Sequence, residues 1–194
     1  MPPKVRVTKE MILDAAFGIV RKEGCENLNA RRIAEFLGCS TQPVLYNFKT
    51  VDEIREEAYR IASEYHTGYI MPDEATDIDP LLALGLNYIR FGHEEPHLFR
   101  FLFQTNQFGG MNVNTLMSGP ELSAIIGIVA KSIHCNETEA RELFLTFFIV
   151  AHGYASLMAN NTMEYDEKQS EKILKTVCCG ILSSWKGQQD HETL

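Results

Sequence analysis

The chain has 194 residues, 45% of them apolar, with eleven Phe, seven Tyr and a single Trp, which suits a small module joined to a larger domain with its own core and excludes a wholly disordered protein. Its formal net charge of −8 is unevenly placed: residues 1–50 carry eight Lys/Arg against five acids, and the remainder ten against twenty-one. The five cysteines, Cys25, Cys39, Cys135, Cys178 and Cys179, form no C-x-x-C pair, which argues against a disulfide framework and for a reducing, cytoplasmic setting.

The start, Met1-Pro2-Pro3-Lys4-Val5-Arg6, lacks the apolar stretch of a signal peptide. No run approaches the ~18 apolar residues of a membrane span, so no membrane partner is expected. A first helix is expected from Thr8, whose hydroxyl can cap it, with Ile12, Leu13, Ala16, Phe17, Ile19 and Val20 at a helical period and Gly24 closing it. Lys4, Arg6 and Lys9 precede or open this helix. They fit an arm laid along phosphates or into a minor groove, and equally an ordinary solvated terminus.

Two short helices fit Asn29 to Lys49: one over Ala30–Leu37 with Asn29 as N-cap, and one over Thr41–Asn47 with Ser40 as N-cap. Gly38 falls where the chain needs positive φ, and Pro43 falls in a first turn, where its missing N–H matters least. The apolar residues Ile33, Ala34, Leu37, Val44, Leu45 and Phe48 are expected to pack the helices across each other. Arg31, Thr41, Gln42, Tyr46, Asn47 and Lys49 are then left outward. This layout is a helix-turn-helix, whose second helix enters a DNA major groove. In that frame Asn29, Arg31, Ser40, Tyr46 and Lys49 are candidates to hold phosphates, and Thr41, Gln42 and Asn47 to read base edges, Gln42 being able to pair bidentately with adenine. The local basic excess serves such binding, and the acidic remainder predicts strong salt sensitivity.

Ile33-Ala34, then Gly38 and Ser40, with Phe48 ten residues after the glycine and Asp52-Glu53-Ile54 beyond, resembles the DNA-binding domain of the tetracycline-repressor (TetR) family of one-component regulators. The resemblance covers about residues 8–60. Where the family usually has Tyr three residues before the Phe, this chain has Leu45, followed by Tyr46. Where it usually has Lys opening the next helix, this chain has Val51, and Lys49 is assigned that phosphate contact instead.

Thr50-Val51-Asp52-Glu53 reads as a capping box opening a helix with Ile54, Ala58, Ile61, Ala62 and Tyr65 on one face. It runs out near Gly68 to Pro72, and Asp73 to Asp79 reads as an acidic loop. Helices are then expected from Asp79-Pro80 to about Glu94, from Pro96, from Ser118-Gly119-Pro120-Glu121, from Asn136 to about Asn160, and from Asp166 to about Lys186. No alternating strand is seen, so the fold class is all-α: an N-terminal three-helix helix-turn-helix domain, residues 1–50, and a larger helical domain, residues 51–194.

The last two helices are apolar over more than one stripe: Phe144, Phe147, Phe148, Val150, Ala151, Tyr154, Leu157 and Met158 on one, Ile173, Leu174, Val177, Ile181, Leu182 and Trp185 on the other. The excess needs a partner, and the small residues Ala151, Gly153, Ala155 and Ser156 allow close approach. The resemblance implies a homodimer through this helix pair, a near-palindromic double-stranded DNA operator, and a small-molecule effector bound in the larger domain. Tyr65, Tyr69, Tyr88, Phe91, Phe103, Phe108, Phe147 and Tyr154 are candidates to line that pocket, although aromatic residues at helical spacing are more often plain core.

His93-Glu94-Glu95-Pro96-His97 matches the H-E-x-x-H zinc signature, which needs two His on one face of an unbroken helix. Pro96 forbids that helix, so the motif reads instead as one helix ending near Glu94 and another beginning at Pro96. Cys178-Cys179 fits a redox sensor or, more simply, two small apolar side chains. No nucleophile motif or phosphate loop is present, so no enzyme activity and no cofactor are expected. The rival readings are a regulator without an effector, using its acidic domain for a protein partner, and a zinc enzyme built on His93 and His97.

Overall fold

A computed structural model of the protein describes residues 7–73, 79–105 and 122–191. These hold nine α-helices and no strand: α1 Lys9–Glu23, α2 Ala30–Phe36, α3 Thr41–Asn47, α4 Val51–Ile70, α5 Pro80–Glu94, α6 Pro96–Phe103, α7 Ser123–Ile133, α8 Glu137–Ala159 and α9 Glu167–His191. Lys4 and Arg6, Phe108, the Ser118–Glu121 helix start and the middle of the acidic loop lie outside the described residues. The chain divides into two compact units, Met1–Gly68 with Glu95–Phe108, and Tyr69–Glu94 with Gly109–Leu194.

Most helix starts are set by the residue before them. Thr8 Oγ1 accepts from Met11 N at 3.3 Å, Asn29 Oδ1 from Arg32 N at 2.9 Å, Asp79 Oδ1 from Leu81 N at 3.0 Å and Asp166 Oδ1 from Gln169 N at 3.1 Å. Each bond satisfies an amide that the helix itself cannot. Asn136 and Glu139 form a full capping box at α8. At α4 the box is shifted: Thr50 Oγ1 accepts from Glu53 N at 3.2 Å, while Glu53 Oε2 accepts from Lys49 N at 3.0 Å. Ser40 stands at the N-cap of α3 with extended backbone but makes no side-chain cap bond.

In the first unit Ile12, Ala15, Ala16, Ile19 and Val20 of α1 are buried together with Ile33, Ala34, Val44, Ile54, Ala58 and Ala62. α6 packs on α1, and its attachment is polar as well as apolar. Glu95, only 7% exposed, stands at the N-cap of α6. It accepts from Arg21 Nε at 2.8 Å, from a second nitrogen of the same guanidinium, and from the Tyr65 hydroxyl at 3.0 Å. The Arg21 guanidinium also lies 5.1 Å from the Tyr65 ring centroid. A buried carboxylate is stable only when paired and fully hydrogen-bonded, and this one is.

In the second unit α5 and α8 meet closely because α5 offers glycines. A Cβ on Gly85 would lie 2.4 Å from the Phe147 ring, and one on Gly92 would lie 2.6 Å from the Ala155 carbonyl oxygen. α8 has the length and apolarity of a membrane span, with a mean hydropathy of 1.4, which the sequence reading had not credited to any run. Within the unit that apolarity is used in packing against α5, α7 and α9, which buries Leu143, Phe144, Phe147, Ala151, Ala155 and Met158.

Two measurements bear on these packings. Gly92→Ala must displace backbone, so it should lower stability by about 1–3 kcal/mol through overpacking. Gly127→Ala in α7, where the added Cβ meets nothing, should raise stability by roughly 0.5–1 kcal/mol through helix propensity. Urea midpoints compare the two. Burial holds His66 down at about 4, against an ordinary 6.5. The unfolded chain therefore binds a proton that the folded one refuses between those values. Stability is full above about pH 6.5 and falls as pH drops toward 4, by about 2 kcal/mol at pH 5 from this group. His66→Leu should remove that component from urea midpoints compared between pH 7 and pH 5.

Candidate nucleic-acid interface

The turn between α2 and α3 is built as the sequence leads one to expect. Gly38 adopts φ +65°, a conformation that glycine reaches at little cost. The amide of Cys39 then donates to Ala34 O at 2.9 Å and that of Gly38 to Glu35 O at 3.2 Å, which closes α2. Val44 is fully buried and Phe48 nearly so. The Lys9 ammonium lies 5.2 Å from the Phe48 ring centroid, fixing the start of α1 beside the end of α3.

This seating turns one arc of α3 outward. Thr41, Gln42, Leu45 and Tyr46 are exposed, Pro43 and Asn47 half-buried, Val44 buried. Leu45 is the correction here: the sequence reading packed it between the helices, yet it is 51% exposed. Val44, roughly 100° away round the helix, takes the inward position and leaves Leu45 on the outer arc.

The candidate phosphate and base contacts fall into two groups. Ser40, Thr41, Gln42, Tyr46 and Lys49 are all exposed, Tyr46 at 86%. Arg31 is exposed and paired with Glu35 at 3.1 Å. Asn29 and Asn47 are engaged in the fold. Asn29 Nδ2 donates to Asn27 O at 3.1 Å while its oxygen caps α2. Asn47 Nδ2 donates to Pro43 O at 2.8 Å and to Val7 O at 3.4 Å. Arg32, absent from the sequence candidates, is tied to Glu23 at 2.5 Å, which pins α2 to the end of α1.

The aromatic candidates are divided between the units. In the first, Tyr65 belongs to the Arg21–Glu95 cluster and meets Phe17 edge-on at 5.6 Å, while Phe103 meets His66 at 5.1 Å. In the second, the Tyr69 hydroxyl donates to Glu94 Oε2 at 2.6 Å and its ring meets Phe91 at 5.2 Å. Phe91 and Phe147 are wholly buried. The Tyr88 hydroxyl bonds His152 Nδ1 at 2.9 Å, with Phe148 against both rings. Burial raises the Tyr88 hydroxyl pKa and lowers that of His152, so both are held neutral. Tyr154 is buried, and its hydroxyl makes no hydrogen bond among the described residues. His152 escaped the sequence reading, and Phe148, read there as part of an apolar stripe, was not among the pocket candidates; the signal was a lone polar residue one turn after an aromatic one on an apolar helix.

The H-E-x-x-H match is split by the backbone: α5 ends at Glu94 and α6 begins at Pro96. His93 stacks on Tyr165 at 4.8 Å, and His97 bonds Arg100 at 3.0 Å. No group of three metal-ligating side chains occurs among the described residues. Burial pushes the Cys178 thiol up to about 11, which disfavours the reactive thiolate.

A helix-turn-helix presented by a small helical unit, in a chain whose second unit is also helical, defines the class of helix-turn-helix transcriptional regulators. Residues 81–177, half of the chain, match the family model described as Tetracyclin repressor-like, C-terminal domain. The chain therefore belongs to the TetR family of transcriptional regulators. Two solved structures share the fold. A TetR-like transcriptional regulator from Rhodococcus sp. RHA1 is 14% identical with a TM-score of 0.64, over 94% of this chain and 98% of that one. A TetR-family member from Streptomyces coelicolor A3 is 19% identical with a TM-score of 0.55, over 87% and 96%. No match is found among curated protein sequences.

Proposed function

We propose that the protein is a homodimeric repressor that binds a near-palindromic operator through α3 and leaves it when a small molecule occupies the larger helical domain. The observation that carries the reading is the outward arc of α3. Thr41 and Gln42 are exposed on it, with the cations Arg31 and Lys49 beside it in sequence and exposed as well. Such a surface offers groups for base edges and charge for phosphates. Asn29, Arg31, Ser40, Tyr46 and Lys49 serve phosphates in this reading. Thr41 and Gln42 serve bases, and Asn47 secures the end of the helix that presents them.

Residues 1–50 act as the DNA-binding domain and 51–194 as the effector and dimerisation domain. Dimerisation draws support from α8, where Ile149 and Leu157 are 57% and 43% exposed with Gly153 between them on the same face. Ligand binding draws support from the buried Tyr154 hydroxyl, which needs a polar partner. A ligand favouring one spacing of the half-sites over another would shift DNA affinity by its own differential affinity for the two states. The α4 helix, through which the chain passes from one domain to the other, is the element expected to carry that shift.

A salt titration of binding to the adjacent upstream DNA, against unrelated DNA of equal length, tests the core of this reading. Sequence-specific binding with a steep salt slope is expected, and sequence-blind weak binding would overturn it. Gln42→Ala should cost roughly 1–3 kcal/mol at one base pair of each half-site and relax specificity there, whereas Lys49→Ala should weaken all sequences alike and flatten the slope. Ile149→Glu should yield a monomer in sedimentation equilibrium. An intact dimer would remove α8 from the interface.

A further inference from the structure

The seven residues of α3 leave one apolar group where polar ones are expected. Successive residues turn by roughly 100°, so Leu45 lies on the exposed arc between Thr41 and Gln42, one turn beyond the first and three residues beyond the second. It is 51% exposed. A leucine has no donor or acceptor, so it can neither hold a phosphate nor pair with a polar base edge. The major groove offers one apolar group among its base edges, the C5-methyl of thymine. Resting on the reading of α3 as the DNA-binding helix, we propose that Leu45 is a specificity-determining residue that packs on a thymine methyl in each half-site, next to the base pair read by Gln42. Leu45 thus selects by shape what its polar neighbours select by hydrogen bonding.

The test separates this contact from DNA binding as such. An operator is first selected from a random duplex library by the full-length protein, and each thymine is then replaced singly by uracil, which removes only the methyl group. Wild type should lose roughly three- to tenfold in affinity at one thymine per half-site, the order expected for one buried methyl group. Leu45→Ala should bind thymine and uracil duplexes equally at that position, while Leu45→Met, which keeps apolar reach, should retain the discrimination. Leu45→Ala weakening every duplex by the same factor, or wild type and Leu45→Ala responding alike to uracil at every position, would overturn the assignment while leaving the DNA-binding reading intact. Failure of wild type to select any consensus would overturn both.

Discussion

A buried carboxylate organises the first unit. Glu95 stands at the start of α6, takes both arms of the Arg21 guanidinium from α1, and accepts the Tyr65 hydroxyl from α4. Three helices distant in sequence are thereby tied at one point, and removing Arg21 would leave the buried Glu95 charge without its cation. Around this point the unit buries large side chains from α1 and α6, among them Ile12, Ile19, Phe99 and Phe101, against the smaller Ala58 and Ala62 of α4. The short α2 then packs on α1 and α3 on α2, with Ile33 and Val44 buried, since helices of this length hold together by packing and not by their own propensity.

The second unit relies on a different principle. Its core is aromatic around Phe91 and Phe147, and its polar groups are matched locally, as in the Tyr88–His152 pair held neutral by burial. The Tyr154 hydroxyl departs from that rule. A buried donor without a bond among the described residues is costly, which sets this position apart from the rest of the core.

Legibility in the sequence followed the range of the interaction. Caps at Thr8, Asn29, Asn136 and Asp166 were readable because each involves residues three apart, and Gly38 because only one residue type tolerates its φ. The span of α3 was likewise readable from Ser40, Pro43 and the break at Phe48. The orientation of α3 was not fully readable, because seven residues make two turns and the pattern fits more than one inward face. Nor could the Arg21–Glu95 pair be seen, separated by 74 positions. The aromatic candidates were ambiguous for a physical reason: a residue lining a cavity and one filling a core obey the same helical period. The structure places Tyr88, Phe91, Phe147 and Tyr154 in the core and leaves Tyr65, Tyr69 and Phe103 half-buried.

The contact between α5 and α8 restricts how such a protein can diversify. Gly85 and Gly92 stand two helical turns apart, and each has a neighbour where its Cβ would be. At Gly92 a larger residue must displace backbone, and at Gly85 it must push aside the Phe147 and Leu174 side chains, so this seam tolerates little change. Sequence change in this unit is therefore easier at positions away from the seam. The seam then preserves the fold while the rest of the unit drifts.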